Sequence, residues 1–519
     1  MNRLCAWGVS SLILILFATS AARADVKLPG IFGDHMVLQR EVQVPVWGWA
    51  TAGEKVTVEF AGQTQSTIAD GQGKWRVNFD KLAIGEPQKL TVKGNNTITL
   101  SDVLVGEVWL CSGQSNMGFV VKNAKDFDKE QAAANLPQIR HFSMASGGAT
   151  KPQEDCKGTW IVCSPDTVGG FTATGYFFGR ELHKSLKMPV GLINSSVGGT
   201  PIEAWTSWEA QRDFAELQPI FDGWKKKQDS WDPAKAQAAY EKQLADNKVA
   251  AEKAKADKKT APRAPQKPSE PITDSHYPGN LFNGKINPLV PFAIRGAVWY
   301  QGESNAGSNV NNAYQLQLTT MIKDWRARWG NDFAFGWVQL PDFHAAQKEP
   351  VEDDGWVFVR EGMLKTLAMP KTGMAVTLGL GEVNDIHPTR KQAVGERLSK
   401  WALGDVYGQK VETSGPMLKN HEVRGNEVVL NFTHTEGGVV AKENQLKGFA
   451  VCGENKKWVK AEAKLDGDKV VVYSAEVAAP IAVRYAWADN PEFSLFNGAG
   501  LPASPFRTDD FPLVTPSKK

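Results

Sequence analysis

Four apolar runs in the middle of the chain, PVGLINSSVGG (189–199), IRGAVWYQGES (294–304), FAFGWVQL (333–340) and TGMAVTLGL (372–380), alternate with three helical patterns. The helical patterns are ATGYFFGRELHKSL (173–186), YQLQLTTMIKDWRARWG (314–330) and RKQAVGERLSKWAL (390–403). Each run has the near-continuous apolar content of a strand buried on both faces. Strands that alternate with helices build a parallel sheet with helices packed on both sides. Their carboxyl ends then lie along one edge, which collects the polar residues that follow each run.

The flanks read differently. Residues 26–105 carry short alternating runs, VQVPVWGWA, KVTVEF, KWRVNF and KLTVKG, broken by AGE, ADGQG and AIGEP. That pattern predicts an antiparallel β-sandwich. From about residue 410, VVLNFTH, GFAVCG, KVVVYS and IAVRYAWA return to β patterning. The expected organisation is a β domain over 25–105, an α/β domain over 106–408 and a second β domain over 409–519. Residues 224–271 interrupt the middle domain with an Ala-, Lys-, Glu- and Gln-rich stretch ending in prolines. They predict an exposed helical insertion followed by an extended linker. Lys and Arg total 59 against 57 Asp and Glu, so a net charge of +2 offers no field that would recruit nucleic acid or an anionic membrane.

Residues 1–24, MNRLCAWGVSSLILILFATSAARA, join Arg3, an apolar stretch from Ala6 to Ala18 and the sequence Ala22-Arg23-Ala24. This is the pattern of a secretory signal peptide cut before Asp25, and its apolar part is too short to span a bilayer. The expected location is the periplasm or the cell exterior. Cys5 leaves with the leader; Cys111, Cys156, Cys163 and Cys452 remain. An oxidising compartment permits pairing, and CKGTWIVC brings Cys156 and Cys163 close enough to close a small loop, although spacing does not decide it. Cys111 reads as a buried small hydrophobe, and the absence of a CxxC pair argues against structural zinc.

The run VLVGEVWL (103–110) ends in CSGQSN, where only small and polar groups follow the strand. Ser115 is therefore a hydroxyl at a strand's end. Serine hydrolysis also needs an imidazole base, a group that orients it, and donors for an oxyanion. The chain has eight histidines: His35, His141, His183, His276, His344, His387, His421 and His434. His387 stands out, because it follows the run TGMAVTLGL, precedes a helical pattern, and has Asp385 two residues ahead. Ser115, Gly198-Gly199, Gln301 to Asn305 and Asp385-His387 all follow predicted strands and meet at one sheet edge. Ser115, Asp385 and His387 also stand where helix caps are expected, and a capping role is compatible with a chemical one.

GQSNM (113–117), VGGTPIEAW (197–205), WYQGESNA (299–306) and NDIHPTRKQAVGERL (384–398) resemble, in order and spacing, the signature blocks of the sialate O-acetylesterase family. LPGIFGDHMVLQR (28–40) resembles the start of that family's mature chain. The resemblance implies an SGNH (GDSL-like) hydrolase, with a flavodoxin-like parallel-sheet catalytic domain flanked by β-sandwich-like domains. It implies Ser115 as nucleophile, His387 as general base and Asp385 as the acid orienting the imidazole, with Glu303 the alternative orienter. The implied oxyanion donors are the Ser115 N–H, the Gly199 N–H (Gly198 the alternative) and the side-chain amide of Gln301, or of Asn305. The superfamily's usual acid stands three residues before the histidine, a position held here by Asn384.

Trp205, His276, Asn280, His344 and Arg360 are the polar or aromatic residues expected to face a sugar. No metal or other cofactor is required. The implied activity is hydrolysis of acetyl esters on sialic acid or xylan-type glycans through an acetyl-serine intermediate. A non-catalytic carbohydrate-binding protein, or a lipase or thioesterase on the same fold, are the alternatives. The second of these calls for an extended apolar acyl channel.

Overall fold

The computed structural model describes residues 25–513, so the expected signal peptide lies outside the described residues. A central sheet runs in the order Thr372–Ala375, Ala334–Val338, Gly296–Tyr300, Thr97–Gly113, Val190–Ser196, Ile139–Met144 and Gly158–Val162. All of its ladders are parallel except the last, where Gly158–Val162 runs antiparallel to Ile139–Met144. Successive side chains on a strand point to opposite faces, and here both faces are covered. Leu110, Ala297 and Trp299 enter one core; Trp109, Cys111 and Val298 enter the other. Helices Tyr314–Trp329 and Gly355–Thr366 cover the first face through Leu318, Met321, Trp325, Val359 and Met363. Helices Ala173–Leu186 and Lys391–Trp401 cover the second through Phe177, Phe178, Leu182, Val394, Leu398 and Trp401. This is the α/β arrangement expected from the alternating pattern.

The strand Thr97–Gly113 belongs to two sheets at once. Its first half alternates exposed and half-buried residues and pairs antiparallel with Gln88–Lys93, which in turn pairs with Lys55–Phe60. From Val103 every residue is buried, and the pairing passes to the parallel sheet. The expected boundary after residue 105 therefore falls inside a continuous strand. Within it, buried Glu107 accepts hydrogen bonds from Arg295 Nε at 2.7 Å, Gln39 Nε2 at 3.1 Å and Tyr407 OH at 3.1 Å, and pairs with Arg40. A carboxylate taken out of water needs such a set of partners, and the set ties the N-terminal segment to the α/β core.

Beyond residue 416 two four-stranded antiparallel sheets form, one containing Glu427–Thr433 and Lys469–Tyr473, the other Phe449–Cys452 and Ala482–Tyr485. Arg484 reaches Asp353 at 2.8 Å and Arg507 reaches Glu361 at 2.6 Å, which fastens this region to the α/β part. The insertion contains helix Pro233–Ala256, which buries no residue. It starts where Asp232 accepts the N–H groups of Ala234 and Lys235 at 3.0 and 3.1 Å and Pro233 takes the first helical position. Among the described residues no helix is long and apolar enough to cross a membrane.

All four cysteines of residues 25–513 are free and buried. The pairing of Cys156 with Cys163 does not form. Cys156 packs into the core on one face of the sheet and Cys163 into the core on the other, with the strand Gly158–Val162 between them.

Candidate active site

The strand Thr97–Gly113 stops because Gly113 has φ +136° and a side chain there would meet the Tyr300 carbonyl oxygen at 2.1 Å. One helical turn follows, Ser115–Gly118, anchored by fully buried Met117, whose carbonyl accepts from Thr172 Oγ1 at 2.5 Å. The turn lifts Ser115 to the sheet's carboxyl edge. There its Oγ lies 2.8 Å from His387 Nε2, although 272 positions separate the two residues in the chain. The two share an open cleft of about 450 Å³, lined also by Gly118, Phe119, Val120, Asn123, Gly198 and Asp385.

Asp385 holds the imidazole loosely. Its Oδ1 is 3.5 Å from His387 Nδ1, and 58% of its side chain is exposed. The same oxygen accepts the backbone N–H of His387 at 2.8 Å, so the carboxylate shapes the turn. Opposite, Val190–Ser196 runs into Val197-Gly198-Gly199, where Gly199 takes φ +73°. A side chain on Gly198 would touch Ser115 Cβ at 3.4 Å, so this turn lies against the serine. Among the described residues no acceptor within the chain faces the N–H of Ser115 or of Gly199.

Beneath the cleft lies a buried polar hub. Asn116 donates from Nδ2 to Glu303 Oε1 at 2.6 Å and to the Ile386 carbonyl at 2.9 Å, while its Oδ1 accepts from Lys391 Nζ at 2.5 Å. Burial raises the Glu303 carboxyl above its usual range, and burial pushes the Lys391 ammonium down to about 7. Asn116 and Lys391 were not singled out from the sequence. The only signal for them is their place inside the GQSNM and NDIHPTRK blocks.

Several expected site residues are committed elsewhere. Gln301 is fully buried: its Nε2 donates to the Thr200 carbonyl at 3.2 Å and Asn305 Oδ1 at 2.6 Å, and its Oε1 accepts from Tyr314 OH at 2.7 Å. Asn305 gives its Nδ2 to Glu203 at 3.0 Å and Gln317 at 3.4 Å. Both amides thus use their two N–H groups in a core network instead of turning them to the serine.

None of the five residues expected to face the sugar lines the cleft. Trp205 is fully buried against Trp299, and Asn280 bonds the carbonyls of Ile272 and Asp274, each at 2.8 Å. Arg360 is fully buried and donates to the carbonyls of Leu340, Pro341, Ala488 and Asp489 at 2.6 to 2.9 Å, stitching the C-terminal region to the core. His344 pairs with Asp489 at 2.9 Å in the same junction. His276 comes nearest: its Nδ1 is 2.8 Å from Asp274 and its Nε2 is 2.9 Å from the Gly199 carbonyl. It braces the glycine turn and leaves no free nitrogen for a sugar.

Residues 105–249 match the family model of carbohydrate esterases described as sialic acid-specific acetylesterases. The chain is 29% identical to the sialate O-acetylesterase of Rattus norvegicus, over 96% of this chain and 97% of that one. It is likewise 29% identical to the Homo sapiens sialate O-acetylesterase, over 95% and 94%. Among solved structures, a carbohydrate acetylesterase from Xanthomonas citri superposes with a TM-score of 0.79 at 35% identity, covering 94% of this chain and all of that one. Sheet, site and likeness together define a carbohydrate esterase, a hydrolase of carboxylic esters. Within that class, agreement along nearly the whole length places it further: the chain belongs to the sialate O-acetylesterase family.

Proposed function

We propose that this protein is an exported carbohydrate O-acetylesterase that removes acetyl groups from sugar hydroxyls through an acetyl-serine intermediate on Ser115. The observation that carries the reading is the 2.8 Å contact between Ser115 Oγ and His387 Nε2 in an open cleft. His387 takes the hydroxyl proton as Oγ attacks the acetyl carbonyl. The tetrahedral intermediate collapses, the C–O bond to the sugar breaks, and the imidazolium returns the proton to the departing alkoxide. A water then attacks the acetyl-serine, with His387 again accepting the proton, and acetate leaves as Ser115 is restored.

The oxyanion donors are the N–H groups of Ser115 and Gly199, both free of internal acceptors among the described residues. Loss of one such donor typically costs about 2.7 to 4 kcal/mol of transition-state stabilisation. Asp385 supports the imidazolium mainly by its charge, at 3.5 Å from Nδ1. The open cleft suits a bulky sugar leaving group better than a long acyl chain, which favours an esterase of acetylated glycans over a lipase or thioesterase. The names of the relatives support an acetylated carbohydrate, sialic acid first among them, and the leader pattern of residues 1–24 supports a substrate met outside the cytoplasm; xylan-type glycans are the second substrate class to test.

Acetate release from O-acetylated sialic acid and from acetylated xylo-oligosaccharides, measured in parallel on purified residues 25–519, tests the reading. Release from at least one substrate, lost in Ser115→Ala, is the expected result. Absence of release from both by the folded protein overturns it in favour of a binding role.

A further inference from the structure

We propose that Lys391 is a positioning residue for the hydrolysis: acting through Asn116, it holds the His387 turn at the distance from which the imidazole takes the Ser115 proton. This rests on the assignment of Ser115 and His387 made above.

Inside the cleft the hold on His387 is weak. Asp385 is exposed and its oxygen serves the turn's own backbone. The side-chain bond that fastens the turn beside the serine is that from Asn116 Nδ2 to the carbonyl of Ile386, the residue before His387, added to the packing of Ile386 against the core. Asn116 also follows Ser115 directly, so one side chain couples the nucleophile's turn to the base's turn. That coupling depends on which way the amide faces. Rotated by half a turn, Asn116 would set its Oδ1 against the Ile386 carbonyl, acceptor against acceptor. Two groups forbid the rotation: Lys391 Nζ supplies a donor at Oδ1, 2.5 Å away, and Glu303 supplies an acceptor at Nδ2, 2.6 Å away.

Lys391 is suited to this and to little else. It is completely buried at the first position of helix Lys391–Trp401, so it contacts neither solvent nor an open pocket. Its ammonium lies 4.8 Å from the Phe119 ring centre and 5.2 Å from that of Tyr300, both faces that favour a cation. The acidic groups around it are Glu303, Glu382 and Asp385, and they oppose a desolvation that on its own drives the proton off. The second oxygen of Glu303 is buried without a partner, so the hub holds an acceptor that only the lysine's charge balances. A buried lysine that merely filled space would be replaced by methionine at little cost. One that sets the amide's direction cannot be.

The test uses full-length mature protein carrying Lys391→Met, which keeps the stem and removes the donor, together with Asn116→Ala and the double variant. Two readouts are taken: kcat and KM for acetate release, and the rate at which a fluorophosphonate labels Ser115. Displacement of a reacting group by about 1 Å costs up to about 100-fold, so Lys391→Met is expected to lower kcat and labelling together by about 10- to 100-fold, with KM within twofold. The double variant is expected to be no slower than Asn116→Ala, because the lysine acts through that amide. Wild-type kcat and labelling in folded Lys391→Met, or fully additive losses in the double variant, overturn the proposal.

Should Lys391→Met not fold, Asn116→Asp keeps the lysine partnered while removing the N–H to Ile386. It is expected to lose labelling, and labelling at the wild-type rate overturns the proposal. Ser115→Ala is run alongside. If it still turns over, the underlying assignment falls and the proposal with it. If it is inactive while Lys391→Met is unimpaired, only the proposal falls.

Discussion

Asp385→Asn measures how much an exposed carboxylate contributes to this site. The wild-type oxygen lies 3.5 Å from His387 Nδ1, and its side chain is 58% exposed, so the interaction runs largely through water. At a dielectric constant of about 80, two unit charges at that distance attract by about 1.2 kcal/mol. That energy stabilises the imidazolium formed as the proton leaves Ser115, and its loss corresponds to a fall in kcat of about sevenfold. Asparagine keeps an oxygen that accepts the His387 backbone N–H, so the turn itself should stand. The expected result in acetate-release assays is a kcat reduced about five- to tenfold with KM unchanged. It should be paired with a wild-type to variant ratio that shrinks toward one as NaCl rises to 1 M, where screening acts within about 3 Å. An enclosed triad aspartate is worth about 10⁴ in kcat. A loss of that size, insensitive to salt, refutes the argument and means the carboxylate closes onto the ring during turnover.

Three further outcomes are expected. Ser115→Ala and His387→Ala should each abolish acetate release while leaving the far-ultraviolet circular dichroism and melting transition of the wild type, since both side chains line an open cleft. Arg360→Met should lower stability by at least about 3 kcal/mol in urea unfolding, because buried carbonyls of Leu340, Pro341, Ala488 and Asp489 lose their donor. The folded fraction should keep wild-type kcat, which a sugar-binding role for Arg360 would not allow. Asp509→Asn should destabilise the protein at pH 7. Burial works to raise the Asp509 carboxyl, but the Arg484 and Arg507 guanidiniums outweigh it and hold it below its usual range. A depressed carboxyl contributes stability above its unfolded value near 4, and that contribution disappears as pH falls through the folded value. The gap between wild type and variant in melting temperature should therefore close between about pH 5 and pH 2. A gap that widens on acidification would show that the sign is wrong.

Local pattern alone determined a good deal of this protein. Runs such as GAVWY and AFGWV are apolar at every position, and only a strand covered on both faces can use such a run, so the helix-sheathed parallel sheet was legible. The helical period of 173–186 and 314–329 marked the covering helices, and the alternation in 26–105 matches strands such as Lys55–Phe60 and Lys74–Phe79 that bury every second residue. Ser115 and His387 were legible because each follows a strand, and parallel strands deliver their ends to a common edge. Other features depended on contacts between residues far apart in the chain.

A polar side chain at a strand's end can face the cleft or join a buried network, and nothing local separates the two. Gln301, Asn305 and Asn280 turned inward because partners such as Thr200, Glu203 and Ile272 waited there. Arg360, expected from the sequence to face a sugar, was drawn to four carbonyls at a junction with residues 488 and 489, more than a hundred positions on. Cys156 and Cys163 are neighbours in sequence but were parted by a strand whose two faces belong to different cores. Asn116 and Lys391, which no spacing rule singles out, became the hub of the site because a polar group that the fold closes over loses stability unless it finds a hydrogen-bond partner. Periodicity is a property of the chain and sets the elements; the partner of a buried donor is a property of three-dimensional packing, and only the tertiary structure selects it.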